Sequence, residues 1–350
     1  MNTTLECTED KSIQSLEDNG ITEDNGITED KSLECNGITD KSIQSLGDRI
    51  KIKYELPNNQ NIKPYEAFII RLDGWGFSKF TSKCFQPFDI NFIKAIAYTT
   101  QDLIKKFEAQ TGYCHSDEIT LIFNSKCSKE IYQQFLNGTA FGSCTLDKSQ
   151  YPQIHMFDGR NQKILSLISS YCSVRFNYHF NNIIKSKKYD SKFIELVERC
   201  EQVFDARLLK FDEENTHEIL NHQIWRSVYD CHRNAISKYA YICFGHKKIN
   251  GKNGKELIQM LENATQSELI KLNLNNQIDK FNWNLIPIYI KYGLYCKKIL
   301  VEKEIDGIKV IRADYIFKQF KIIFNDDNLN MLLSKYWENS DNKLDINLID

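Results

Sequence analysis

Residues 68–80 read F-I-I-R-L-D-G-W-G-F-S-K-F. An apolar run that would be buried ends on an acid, and a glycine follows at once. Pro64 opens the run, and its β-branched and aromatic content makes Tyr65–Leu72 a first strand. A structural acid prefers a solvated loop or a helix cap. Asp73 instead stands on a rigid strand end, where a carboxylate is well placed to hold a cation.

The rest of the chain places further elements around that strand. Residues 89–110 carry Ile90, Ile93, Ala97, Thr100, Ile104 and Phe107 on one helical stripe, with Asp89 as the N-cap and Gly112 as the stop. Ile119–Phe123 reads as a strand, and Ser116-Asp117-Glu118 sits where a hairpin turns. A helical stripe of Ile164, Leu167, Ile168, Tyr171 and Cys172 spans Gln162–Phe176. A helix over 191–202 precedes a strand over Val203–Phe211. Glu218–Cys243 is helical, Gly251 and Gly254 mark a loop, and 255–262 is a short helix. The aromatic and β-branched residues 284–303 read as extended, and 310–340 as mixed. The order strand, helix, strand–turn–strand is that of an α/β (α+β) chain. Its expected parts are a catalytic domain over 50–245 and a C-terminal region over 246–350 packed on it.

Residues 1–49 differ from the body. K-S-I-Q-S-L recurs at 11–16 and 41–46, and N-G-I-T at 19–22, 25–28 and 36–39. The period is too short for a stacked helical repeat, and Asn-Gly keeps breaking it. This tail holds 12 Asp/Glu against 4 Lys/Arg, which predicts disorder. The remaining residues carry a balance of +6, compatible with nucleic-acid binding. With 350 residues, 41% of them hydrophobic, the chain can bury a sizeable core. No apolar run approaches a membrane span, and no signal pattern opens the chain. Eleven cysteines without a C-x-x-C pair suit a reducing compartment. The expected location is cytoplasmic, with the nucleus left open.

Asp73 and Asp117 are 44 residues apart, and strand pairing can bring them side by side. Facing carboxylates repel unless a cation sits between them. A pair of Mg²⁺ ions meets that need, because hard cations take oxygen ligands and leave room for phosphates. Gly74 would let its carbonyl approach an ion, and two ions could drive an in-line phosphoryl transfer. The other reading is a pair of unrelated surface acids. Glu118 follows Asp117, and strand neighbours point to opposite faces. Asp117 is therefore the expected ligand, while Glu118 acts from the turn or binds a base.

Five motifs now resemble a known family. R-L-D-G at 71–74, H-S-D-E at 115–118, F-D-A-R at 204–207, W-R-x-x-x-D-C at 225–231 and K-Y-G at 291–293 are similar, in order, to those of the tRNA-His guanylyltransferase-like family. The resemblance implies a palm-like core with a ferredoxin-like sheet, as in polymerases and nucleotidyl cyclases, plus a mixed helical C-terminal region. It implies nucleotide addition in the 3′-to-5′ direction at the 5′ end of tRNA. ATP or GTP activates the 5′-monophosphate, and then the 3′-hydroxyl of an incoming nucleoside triphosphate attacks. By the family pattern Asp73 and Asp117 bind two Mg²⁺ ions with the Gly74 carbonyl, and Glu118 joins them as catalytic. Arg71, Ser116, Arg160, Lys163 and Asn234 line the nucleotide site. The family also implies a homo-oligomer, a tetramer.

The departures sharpen this. Where guanylyltransferases carry His-Ile-Asn-Asn-Leu-Tyr-Asn, this chain has His232-Arg233-Asn234-Ala235-Ile236-Ser237-Lys238. That is similar to the "like" branch, which repairs tRNA 5′ ends from a template. Dedicated addition of G to tRNA-His is the alternative. Trp75 stands where many members have Arg, and Gln86 where Lys is usual. A neutral amide holds a phosphate less well than an ammonium, which predicts a preference for RNA already bearing a 5′-triphosphate. Lys185, Lys187, Lys188 and Lys192, then Lys247, Lys248, Lys252 and Lys255, are candidate RNA contacts or plain solvated faces. His115 and His232 read as structural. A nucleotidyl cyclase and an RNA-binding paralogue without catalysis are the rival readings.

Overall fold

The computed structural model describes residues 46–55, 60–137, 153–185, 187, 189–272, 280–305, 308–338 and 343–348. The chain divides into two compact units between Tyr54 and Glu55. Most of the acidic repeat tail lies outside the described residues. Of the first unit, Leu46–Ile50 is α-helical and leads into a π-helical turn, Lys51–Glu55.

The second unit starts its sheet with β1, Ala67–Gly74, which begins and ends two residues later than the expected strand. Helix α1, Ile90–Phe107, follows, and Asp89 caps it by accepting from the Asn91 and Phe92 amides. The helix ends with Glu108 in the left-handed region at φ 56°, not at Gly112. Gly112 instead lies inside β2, Thr111–His115, where a Cβ would strike Thr100 and Ile104 of α1. The glycine thus serves close helix-on-sheet packing. Strand β3, Glu118–Phe123, completes a tight hairpin. Next come α2, Asn161–Ile184, α3, Ser191–Glu198, and β4, Phe204–Phe211.

Every pairing in this set is antiparallel and the order is β4-β1-β3-β2. A β-α-β-β-α-β chain in that order is the ferredoxin-like arrangement. Alternation along β1 sends Phe68, Ile70 and Leu72 to one face and Ala67, Ile69, Arg71 and Asp73 to the other. The first face packs on α1 and α2 through an aromatic cluster of Phe77, Phe80, Phe92, Phe176, Phe180 and Phe204.

The opposite face is covered by the C-terminal half. Helix α4, Glu218–Ile224, runs through a π-helical segment, Trp225–Cys231, into α5, His232–Phe244. Helix α6, Gly254–Glu262, packs on α5. The expected extended stretch 284–303 is two things. Helix α7, Ile288–Tyr292, precedes β5, Leu294–Ile305, and only the latter is extended. Pro287 at the N-cap opens that helix and Gly293, at φ 78°, closes it. A Cβ on Gly293 would lie 2.5 Å from the Tyr113 ring, so K-Y-G ends in glycine for packing as well as for backbone reasons. Strand β6, Ile308–Lys318, α8, Asp326–Leu333, and β7, Lys343–Leu344, follow. β5 pairs with β2, so one seven-stranded sheet runs through the unit. Ile219 and Leu220 of α4 and Leu332 of α8 cover its second face. Among the described residues no helix is long and apolar enough to cross a membrane.

Candidate functional site

The register of four strands writes out the site. Asp73 stands opposite Asp205 on β4 and Glu118 on β3, and Glu118 stands opposite His115 on β2. Directly paired residues share a face, so Asp205, Asp73, Glu118 and His115 form one row across the sheet. The next row holds Arg207, Arg71, Thr120 and Tyr113. An acidic row therefore abuts a row with two arginines. Arg71 reaches Asp73 at 3.1 Å and Glu118 at 3.0 Å, and Arg207 reaches Asp205 at 3.2 Å.

Asp117 is in the hairpin turn rather than on a strand. Ser116 takes the left-handed conformation at φ 48°, and its hydroxyl donates to the Asp117 carboxylate at 2.9 Å. The Gly74 amide donates to the Asp117 carbonyl at 3.1 Å, which ties the end of β1 to the turn. Burial raises the Asp117 pKa, the Ser116 hydroxyl opposes this, and the Asp73 charge adds to the rise. Burial and then the Glu118 charge likewise raise Asp73, against the pull of Arg71. Both carboxylates are thus harder to ionise than free aspartates, chiefly because of burial. Two such carboxylates beside a backbone carbonyl form an all-oxygen donor set, which suits a hard divalent cation. Gly74 has a packing reason of its own: a Cβ there would lie 2.5 Å from the Phe77 ring.

Glu118 behaves differently. Burial would raise its pKa, but His115, Arg226 and Arg71 together leave it lowered. Arg226, only 3% exposed in its side chain, bonds Glu118 and also Asp230 at 2.9 Å. His115, Glu118 and Asp230 form a cluster compact enough to grip a metal ion. The Arg226 guanidinium already lies against both carboxylates, so that cluster is neutralised from within. His115 is buried with both ring nitrogens unpaired, and burial lowers its pKa to about 4, so its ring is neutral near pH 7.

Asn234 lies one turn beyond Asp230 and lines a cavity of about 260 Å³ together with Ser116, His115, Gln86, Asp89 and Lys238. Phe85, Phe88, Phe92, Ile93 and Leu294 make most of its wall apolar. The structure therefore brings Arg71, Asp73, Gly74, Ser116, Asp117, Glu118 and Asn234 to one end of the sheet. Arg160 and Lys163 are elsewhere. Arg160 bridges Asn61, and the Gly159 carbonyl accepts from the Ile62 amide, on the segment that leads into β1. The length of β1 puts them roughly 20 Å from Asp73. Lys163 lies over the Phe157 ring. The basic clusters, Lys188 aside as outside the described residues, are exposed. Arg226 and Asp230 were not singled out from the sequence, although W-R-x-x-x-D-C contains both. Their i,i+4 spacing was the available signal.

The fold and site define an α+β protein with a ferredoxin-like sheet and an acidic strand end beside a mostly apolar cavity. It belongs to the tRNAHis guanylyltransferase (Thg1) family. The model of that family matches residues 48–212. The chain is 39% identical over 297 residues to an uncharacterized protein of Acanthamoeba polyphaga mimivirus, covering 84% of this chain and 91% of the relative. It is 26% identical over 235 residues to the tRNA(His) guanylyltransferase of Debaryomyces hansenii, covering 64% of this chain and 74% of the relative. A bacterial tRNA(His) guanylyltransferase (Thg1)-like protein, solved in complex with ATP, has the same fold. Its TM-score is 0.52 at 23% identity, covering 77% of this chain and 92% of that one.

Proposed function

We propose that this chain is a nucleotidyltransferase that adds nucleotides to the 5′ end of truncated tRNA, in the 3′-to-5′ direction and under template control. One observation carries the reading. Asp73 and Asp117, from distant parts of the sequence, meet where the Gly74 amide bonds the Asp117 carbonyl, and both carboxyls are raised, chiefly by burial. Family membership supports the transferase class.

In this reading Asp73, Asp117 and the Gly74 carbonyl hold Mg²⁺. When bound, the ions supply Lewis-acid stabilisation of phosphate charge and an acidified hydroxyl. The protein's own groups do the rest. Arg71 and Arg226 fix the Glu118 carboxylate, and Arg71 also holds Asp73, so the acids keep their geometry without substrate. The cavity beyond Ser116 excludes water and takes a nucleobase against Phe88, Phe92 and Ile93. Ser116 and Asn234 offer polar contacts at that cavity. Exposed lysines on α3 and α6, with Trp75, 75% exposed beside Asp73, face the RNA.

Arg160 and Lys163, far along β1, are assigned to RNA rather than to the triphosphate of the same site. The Arg233-Asn234 pair favours templated repair over dedicated addition of G to tRNA-His. Extension of tRNA lacking its first nucleotide, with each nucleoside triphosphate in turn, tests the proposal. Incorporation that follows the opposing base supports it, and G addition regardless of that base would replace it with the dedicated activity.

A further inference from the structure

The cavity beside Ser116 contains a lysine that makes no ion pair among the described residues. Lys238, half-buried on α5 one turn beyond Asn234, is the one Lys or Arg among the residues lining it. Among the described residues it has no ion pair and no hydrogen-bond partner. The one carboxylate in the same wall, Asp89, is fully engaged. It accepts from the amides of Phe85, Asn91 and Phe92 and from the Tyr189 hydroxyl. The other titratable groups bordering the cavity are Tyr289, Cys84, Cys114, Cys231 and His115. Burial raises the three thiols and lowers the imidazole, so these four are neutral near pH 7. Burial also lowers the Lys238 pKa, with Cys84 acting the other way.

Gln86 lines the same cavity, and its amide is spent. Its Nε2 donates to the carbonyls of Thr81 and Cys84, each at 3.0 Å. It braces the loop before α1 and is not free to hold an anion. Among the described residues lining the cavity, the positive charge comes from α5.

We infer that Lys238 is the anion-binding residue of this cavity, holding a phosphate of the activating nucleoside triphosphate whose base the apolar wall takes. The inference rests on the nucleotidyltransferase reading and deepens it. It also reverses the expectation drawn from Gln86: the positive charge is supplied from position 238, so activation of a 5′-monophosphate is retained. In that step an oxygen of the RNA 5′-monophosphate attacks the α-phosphorus of ATP. A new P–O–P bond forms, the bond to the β-phosphate breaks, and pyrophosphate leaves with the electron pair. The Lys238 ammonium offsets the phosphate charge.

Equilibrium dialysis of the full chain with ATP and, separately, with adenosine tests this. Lys238→Met should weaken ATP binding about ten-fold or more while adenosine binding falls far less. Lys238→Arg should keep most of the affinity, and Gln86→Lys in the Lys238→Met background should recover part of it. In extension assays Lys238→Met should lose more on 5′-monophosphorylated than on 5′-triphosphorylated RNA. Equal ATP affinity in the wild type and Lys238→Met, or an equal fall for ATP and adenosine, would overturn the assignment. The two readings separate cleanly. A wild type that extends RNA, with a Lys238→Met variant that binds ATP normally, sinks only the lysine. A wild type that extends no RNA, with ATP binding still dependent on Lys238, sinks only the transferase.

Discussion

Asp117 is costly where it stands. It is half-buried, it sits near Asp73, and its pKa is raised chiefly by desolvation. The folded chain therefore binds this proton more tightly than the unfolded chain. The cost appears as pH rises from the ordinary aspartate range through the raised value, and it is fully present at neutral pH. Asp117→Asn should accordingly raise the melting temperature at pH 7 while lowering nucleotide transfer about 100-fold or more. Thermal melts and single-turnover extension on one preparation check both halves. Asp73 and the turn were legible in the sequence because an acid at the end of an apolar run is unusual. The partnership of Glu118 was not. Strand alternation alone set it apart from Asp117, whereas the observed register places it beside Asp73 and under Arg71 and Arg226. Register depends on which strands pair, and local sequence does not carry that.

At the scale of elements, the π-helical segment Trp225–Cys231 joins the two halves of the unit. Wide π turns recur at functional sites. This one turns Arg226 and Asp230 down onto the sheet and leaves Trp225 and Tyr229 exposed. Removing Arg226 would leave Glu118 held by Arg71 alone and Asp230 by the exposed Arg233, and both carboxylates are mostly buried. Arg226→Met should therefore destabilise the fold by about 3–5 kcal/mol, read as a lower urea midpoint. Arg226→Lys should recover only part of this, because one ammonium cannot reproduce the planar guanidinium fork. Glu218–Cys243 was readable as helical from its pattern, but not the π segment within it. The stretch 284–303 misled because Ile288, Tyr289 and Ile290 have strand-forming side chains. Pro287 and Gly293 cap them into a single helical turn before β5 begins.

At the scale of the molecule, β2, β3, most of β1 and the first half of β5 are buried on both faces, and β5 pays for its central position with Lys297. That side chain is fully buried, donates to Ser334 Oγ at 2.9 Å and to the Met331 carbonyl at the end of α8, and is lowered by burial to about 7. An unfolded lysine titrates near 10.4. The cost of charging Lys297 is fully borne below pH 7 and is relieved as pH rises toward the unfolded value. Lys297→Met should thus gain stability over the wild type at pH 6.5, with a smaller gain at pH 9.5, in paired urea titrations. The strand–helix–strand–turn–strand succession was readable from the pattern, and the ferredoxin-like order of the strands was implied by the family resemblance. The extension by β5, β6 and β7 did not, since nothing local says that residue 294 pairs with residue 114. The central claim is that Asp73 and Asp117 meet on this sheet to transfer nucleotides to an RNA 5′ end. Its most direct test is extension of tRNA lacking the 5′ nucleotide by wild type and Asp117→Ala. The account predicts addition of the nucleotide complementary to the opposing base by wild type and its loss in the variant. Equal extension by both proteins, or none by the wild type, would contradict it.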